Sequence, residues 1–447
     1  MRKFAWSFLL LPGFLAAQSG GVVELSLSRA VELALAPDGD ARARLAAEAV
    51  RQAETRAAQA RSALLPNLEG SVAEQNQTRN LAAFGLKVSI PLPGFQFPEL
   101  VGPFSTFDAR LSLGQSILDL SAIRRYQSAR VVTQAASEEK EAAYDRVARL
   151  VALQYLAALR AAARLEAAEA DFKLAESLLQ LATNQKSAGT GTGIEVTRAR
   201  VQLAQARQQL LLASNDRRQA ELELLRTIGL PLTTPVRLTD ALAAPAATDI
   251  DARQAADEAF RRRHDWLAQQ KREESARLAW SSARFERLPT LAGFADYGSI
   301  GTSINNALPT RTYGVALRVP LFDGGRRDAR RSEARSLYEQ ERVRSLDLRR
   351  QIELEVNLAL DDLHSAAEQV KVAEEGLAQV QAELEQAQRR YQAGVTSSLE
   401  VTDAQTRLAR ARDNYIAALF LYNRARLDLW QATGELRSRL NATTRQP

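Results

Sequence analysis

Residues 352–432 read IELEVNLALDDLHSAAEQVKVAEEGLAQVQAELEQAQRRYQAGVTSSLEVTDAQTRLARARDNYIAALFLYNRARLDLWQA. On the first arm, Ile352, Val356, Ala359, Leu363, Ala366, Val370, Ala373, Leu377, Val380, Leu384, Ala387 and Tyr391 follow one another in steps that alternate four and three. That 3.5-residue repeat keeps one apolar stripe facing a partner helix along the whole arm. The chain turns at Ala393-Gly394, and a second seam runs back from Val401 through Ala404, Leu408, Tyr415, Tyr422 and Leu429 to Ala432. Small residues alternate along it, so the two backbones can pack closely. A weaker stripe of Ile416, Phe420, Leu427 and Trp430 gives the returning helix a second neighbour.

The same hairpin stands 205 residues earlier. Ala188-Gly189 matches Ala393-Gly394, Ile194-Glu195-Val196-Thr197 matches Leu399-Glu400-Val401-Thr402, and Gly229 matches Gly434. A fixed offset over some eighty residues marks an internal repeat. The chain therefore reads as two copies of one long unit, residues 20–232 and 250–436, joined by a Thr/Pro/Ala-rich linker at 233–249. A polar tail at 437–447 is expected to be without order.

Each copy carries the same succession. Leu27–Ala36 and Asp40–Leu64 read as helices, the latter stopped at Pro66; Asp251–Arg287 reads as a single helix stopped at Pro289. The helical period is then lost. Phe107–Leu113 alternates strictly, with Asp108, Arg110 and Ser112 on the other face, and strand signals return at Leu291–Tyr297 and Thr312–Val319. Long arms follow, from about Ser121 to Gln185 and from about Arg326 to Tyr391, the latter roughly 100 Å at 1.5 Å per residue. Two strands per copy make four per chain. Four short strands cannot close a barrel, and lipid does not tolerate open edges, so membrane-embedded strands would need several chains. Their apolar/polar alternation suits a lipid-facing outside and a wet lumen.

Of 447 residues, charged side chains make up 25 % and aromatics 6 %, which suits long helices better than a compact enzyme. The formal charge is +6, and Arg is interleaved with Asp and Glu, the pattern of an ion-paired helix surface rather than of a nucleic-acid groove. Without cysteine, there is no disulfide, thiolate site or cysteine-linked lipid. Residues 1–19 carry Arg2 and Lys3, an apolar run Phe4–Leu15, then Ala16, Ala17 and Ser19, and read as a cleaved secretory signal. No catalytic, cofactor or metal constellation emerges. Asp361, His364 and Glu368 share a helix face but read as solvated, and Gly189-Thr190-Gly191-Thr192-Gly193 follows a helix rather than a strand and lacks the Lys-Ser/Thr of a phosphate loop.

Arg390-Tyr391-Gln392-Ala393-Gly394, then Ser398-Leu399-Glu400-Val401 and Ala404, with their first-copy counterparts, resemble the TolC-like outer-membrane efflux proteins. Pro320-Leu321-Phe322-Asp323-Gly324-Gly325, Leu64-Leu65-Pro66 and Leu288-Pro289 look like that family's strand boundaries. The resemblance implies a mainly α chain with membrane β. Its homotrimer would form a twelve-stranded outer-membrane barrel continued by a periplasmic α-helical tunnel. It also implies a periplasmic adaptor and an inner-membrane pump of RND, ABC or MFS type as partners, docking at the tips marked by Gly189 and Gly394. Cargo, whether drug, metal ion or polypeptide, is left open. By the same resemblance, Glu195 and Tyr391 would link neighbouring helices to hold the periplasmic mouth shut, and Glu400 with Asp403 would ring it with acid and favour cations. Acidic residues also simply suit a helix N-terminus, so that reading stands beside it. Lys186 occupies the position matching Tyr391, so the two tips are not equivalent. The other function class open to the sequence is a secreted or periplasmic coiled-coil adaptor or scaffold without a pore, for which paired strands in both copies have no use.

Overall fold

The structure, a computed structural model, describes residues 22–85, 99–244 and 251–442. The expected signal at 1–19, the end of the expected linker from residue 245 and the last five residues lie outside them. In chain order the elements are β1 (Val23–Leu25), α1 (Leu27–Leu35), α2 (Ala41–Ser62), β2 (Asn67–Asn80), β3 (Leu100–Leu118), α3 (Leu120–Ser187), α4 (Gly193–Thr227) and β4 (Val236–Leu238). The second half follows with α5 (Ala252–Arg262), α6 (His264–Phe285), β5 (Thr290–Gly301), β6 (Leu308–Arg318), α7 (Arg326–Gln392), α8 (Ser398–Ala432) and α9 (Leu436–Ala442).

The repeat is legible in these boundaries. Both α4 and α8 have 35 residues, and each begins and ends 205 positions from the other. Before the strands the offset is larger: α2 and α6 each span 22 residues, displaced by 223. The difference sits in the strand pairs, since 19 residues separate β2 from β3 while only six separate β5 from β6.

The chain divides into two compact units. One comprises residues up to Leu45, Ala143–Arg263 and Ile352 onward; the other comprises Ala46–Ala142 and His264–Gln351, and α3 and α7 contribute to both. In the second unit the strands form one antiparallel sheet in the order β2-β3-β5-β6, so β2 and β6 are its two ends. Strand registers place Val72, Ala109 and Ser299 in one row, and Leu111 beside Tyr297 and Arg311 in the next. This face carries Val72, Leu111, Tyr297, Tyr313, Val315 and Leu317, all exposed, with Tyr313 at 80 %. The opposite face is more polar, though Phe294, Ile300 and Leu308 lie on it: Glu69, Ser112, Asp296 and Thr312 share a row, and Ser112 Oγ donates to Asp296 Oδ1 at 2.5 Å. One face oily and exposed, the other hydrogen-bonded, is the division a membrane barrel strand requires. In the same unit α6 is tied to α3 by Ser128 Oγ to Ser275 O (2.9 Å) and Ser282 Oγ to Ser121 O (2.8 Å), and to α7 by stacking of Trp280 on Tyr338 at 5.9 Å.

The core of the first unit gathers Leu25, Val147, Val151, Tyr155, Leu224, Leu225, Leu427 and Leu436. The fully buried Tyr155 hydroxyl lies 2.8 Å from Leu25 O and 2.6 Å from Asp240 Oδ2. It thereby fastens α3 to the parallel pair β1 and β4, which joins Val23–Leu25 to Val236–Leu238 inside the segment read as linker. The second stripe of α8 is inside as expected, with Ile416 and Leu427 buried and Phe420 and Trp430 packed on the core.

Two expectations fail locally. The tail is ordered as α9 through residue 442, because Leu436 and Leu440 bury on one face and Arg437 Nε donates to Asp145 at 2.5 Å. The helix read as Asp251–Arg287 is two helices. Arg263 turns extended between them and its buried guanidinium donates to Glu355 Oε2 at 2.5 Å, a pairing a continuous helix face did not announce.

Candidate functional site: the hairpin tips

Both tips are closed by the same backbone device. Gly189 and Gly394 sit at φ 76° and 73°, in the left-handed region where a side chain is strained. Thr190 N–H donates to Gln185 O at 3.0 Å in one and Val395 N–H to Arg390 O at 2.9 Å in the other, tying up carbonyls that the helix end leaves free. A Cβ on either glycine would meet open space, so the constraint is conformational.

Beside the second tip Leu384, Ala387, Tyr391, Val401, Ala404 and Leu408 form an apolar cluster, against which Leu174, Leu178 and Leu181 of α3 pack. Tyr391 is 5 % exposed and its hydroxyl makes no hydrogen bond to a protein group. Burial first, and the Glu195 charge second, hold its phenol above the ordinary tyrosine range, so it stays protonated. Tyr391 and Glu195 line one cavity of about 20 Å³, with Ala175, Gln202, Ser398 and Gln405 in its wall. The structure thus brings the pair together without bonding it. Glu195 Oε2 instead accepts from Thr192 N–H at 2.8 Å, capping the start of its own helix.

Glu400 and Asp403 are not bare acids. Glu400 accepts from Thr396 Oγ1 and lies 3.4 Å from Arg390, while Asp403 pairs with Arg407 at 2.7 Å, and Arg407 also reaches Glu383 at 3.0 Å. Arg390, Arg407 and Ser398 were not singled out for a role from the sequence. A helix-turn spacing of Arg407 from Asp403 was available as a signal; the cross-tip reach of Arg390 was not. Asp361, His364 and Glu368 are exposed, and Glu368 accepts from Lys371 at 2.6 Å. Among the described residues no group of His, Cys, Asp and Glu is arranged to hold a metal ion, and no helix is long and apolar enough to cross a membrane.

Duplicated helical hairpins with a four-stranded sheet, oily on one face and more polar on the other, define an outer-membrane channel chain. The sequence profile of the outer membrane efflux protein family matches residues 40–230 and again 255–435, once per copy, and the chain belongs to that family. It is an outer-membrane efflux channel, with its strands in the membrane and its long helices on the periplasmic side. The pyoverdine export outer membrane protein OpmQ of Pseudomonas putida is 27 % identical over 87 % of this chain and 82 % of its own. The alkaline protease secretion protein AprF of Pseudomonas aeruginosa is 26 % identical over 71 % and 68 %. The crystal structure of the Campylobacter jejuni CmeC outer membrane channel superposes with a TM-score of 0.78 at 18 % identity, over 94 % of this chain and 88 % of CmeC. Family and relatives are transport proteins, and the pore-free scaffold reading falls with them.

Proposed function

We propose that the chain works as a homotrimer whose twelve strands close one barrel. Each trimer would pass cargo from an adaptor and an inner-membrane pump of RND, ABC or MFS type to the exterior. The observation that supports the trimer is the open sheet: β2 and β6 end it, and unpaired strand edges are not tolerated in lipid. In this reading the tips around Gly189 and Gly394 receive helical hairpins of the adaptor, a coiled-coil mode of recognition. Tyr391, Glu195, Glu400 and Asp403 lie at the periplasmic mouth. Tyr391 and its apolar cluster keep that mouth closed at rest, Glu195 acts through the cap of α4, and the acids tune ion preference against Arg390 and Arg407. The relatives are named for pyoverdine export in one case and alkaline protease secretion in the other, so small-molecule and polypeptide cargo both belong to related chains. Extraction from outer membranes in mild detergent, followed by light scattering, is expected to give a trimer. A monodisperse, water-soluble monomer with no membrane fraction would overturn the reading.

A further inference from the structure

We propose that the cavity between the hairpin tips is a site for one buried water molecule, held by Tyr391 Oη and Ser398 Oγ, and that Ser398 is a positioning residue of the closed mouth. The inference rests on the gate assigned to Tyr391 above and adds to it a ligand and a second residue.

Tyr391 Oη and Ser398 Oγ are both buried, neither bonds to a protein group, and both residues line the same cavity. Buried hydroxyls in native proteins are almost always satisfied, by protein or by ordered water. The cavity, about 20 Å³, accepts one water and nothing larger. A buried water also needs two to four polar partners. Thr402, Gln202 and Gln405 line the same space and supply the others, while Glu195 is engaged in its cap. Because the Tyr391 phenol is held protonated, it remains a donor throughout the physiological range.

The placement gives the water a task. The cavity wall comes from α3 and α4 on one side and from the end of α7 and the start of α8 on the other. Tyr391 and Ser398 hold the molecule from the α7–α8 hairpin, and its further bond to Gln202 of α4 is what joins the two hairpins of one chain. Water-mediated bonds are nearly as favourable as direct ones yet exchange easily, which suits a latch that a docking helix must undo. The first copy has no such pair, since Lys186 and Gly193 stand where the second has Tyr391 and Ser398. One latch per chain results.

The test combines a crystal structure of the trimer, at a resolution that shows waters, with single-channel recordings of Tyr391→Phe, Ser398→Ala and the double variant. Expected are a water within hydrogen-bonding distance of both oxygens and an open probability raised about fivefold by either single change, the ratio that one lost hydrogen bond gives. The double variant should rise no further, because both substitutions break the same bridge. If Tyr391→Phe opens the channel and Ser398→Ala does not, the role of Ser398 is overturned and the gate stands. Tyr391 Oη donating directly to Glu195 or Ser398, with no water between, overturns the water site alone. A bridging water with all three variants gating like the parent overturns the latch and the gate together. Trimer recovery from membranes separates each of these from misfolding.

Discussion

The returning helices α4 and α8 have the same length and the same place in their hairpins, yet one is covered and the other is not. Along α8 eleven residues are buried, from Val401 to Ala432; along α4 only Val196, Leu224 and Leu225 are. Ile416 is 8 % exposed, while Leu211, its counterpart 205 residues earlier, is 65 % exposed. Val201 and Leu212 are exposed with it, and a polar groove of about 700 Å³ lined by Gln205, Gln209 and Gln405 separates α4 from α8. A duplicated element thus carries two different obligations. The copy in α8 completes the fold of its own chain on both of its seams, and the copy in α4 keeps an apolar face that only another protomer of the proposed trimer would cover.

The sharpest way to break this comparison is one substitution made twice. Ile416→Ala removes buried methyl groups and is expected to cost about 2–5 kcal/mol of stability, the range for such core truncations. Leu211→Ala should leave the stability of the chain within about 0.5 kcal/mol, as exposed positions do, and should instead lower the fraction that migrates as trimer. Denaturant unfolding and native gels of both variants decide it. Equal loss of chain stability from the two would show that α4 is held as α8 is.

The hairpins, their turns, the second seam of α8 and three of the four sheet strands were legible because each is written in local periodicity or in repetition, whereas the polar β2 was only implied by the repeat. Ile416 and Trp430 betray a second neighbour by spacing alone. What stayed hidden depends on partners distant in sequence. Arg263 breaks a helix that reads as continuous because Glu355, 92 residues on, draws it inward. The three residues of β4 lie in a Pro/Ala-rich stretch and are strand only because β1 lies alongside. At the tips the residue types were visible and their bonding was not. Nothing in the spacing of Tyr391 and Glu195 tells that Glu195 spends its carboxylate on Thr192 N–H.

The next contrast is between Tyr155 and Leu360, again 205 positions apart. Tyr155 holds a polar fastening, to Leu25 and Asp240, where the second copy has Leu360 and, among the described residues, no matching strand pair. Removing the hydroxyl in Tyr155→Phe takes away the one donor that Leu25 O and Asp240 Oδ2 share, leaving them only the donors of Thr239 and Leu27, at a cost of about 1–3 kcal/mol. Amide exchange in β1 and β4 should accelerate with it, while the α7–α8 hairpin is unchanged. Uniform acceleration in both copies would mean that the bond is a global prop rather than a local latch.

The smallest effect concerns charge at the tips. Position for position, Asp403 corresponds to Arg198, Arg390 to Gln185 and Arg407 to Gln202, so the second tip holds more acid than the first and its bases stand at different places. In isolation Glu400 and Asp403 would make the mouth strongly negative, and three copies would add. With Arg390 at 3.4 Å from Glu400 and Arg407 at 2.7 Å from Asp403, each acid is largely offset by a neighbour on its own hairpin. These pairs are half-exposed, worth little to stability and readily screened. Asp403→Asn should therefore shift cation preference only slightly, because it deletes an acid already offset and frees Arg407. Arg407→Gln uncovers both Asp403 and Glu383, and should raise cation preference in planar-bilayer reversal potentials, with the increase fading as salt approaches 1 M. If Asp403→Asn instead abolishes cation preference while Arg407→Gln leaves it untouched, the acids act unshielded, and the arginines point elsewhere in the assembled mouth.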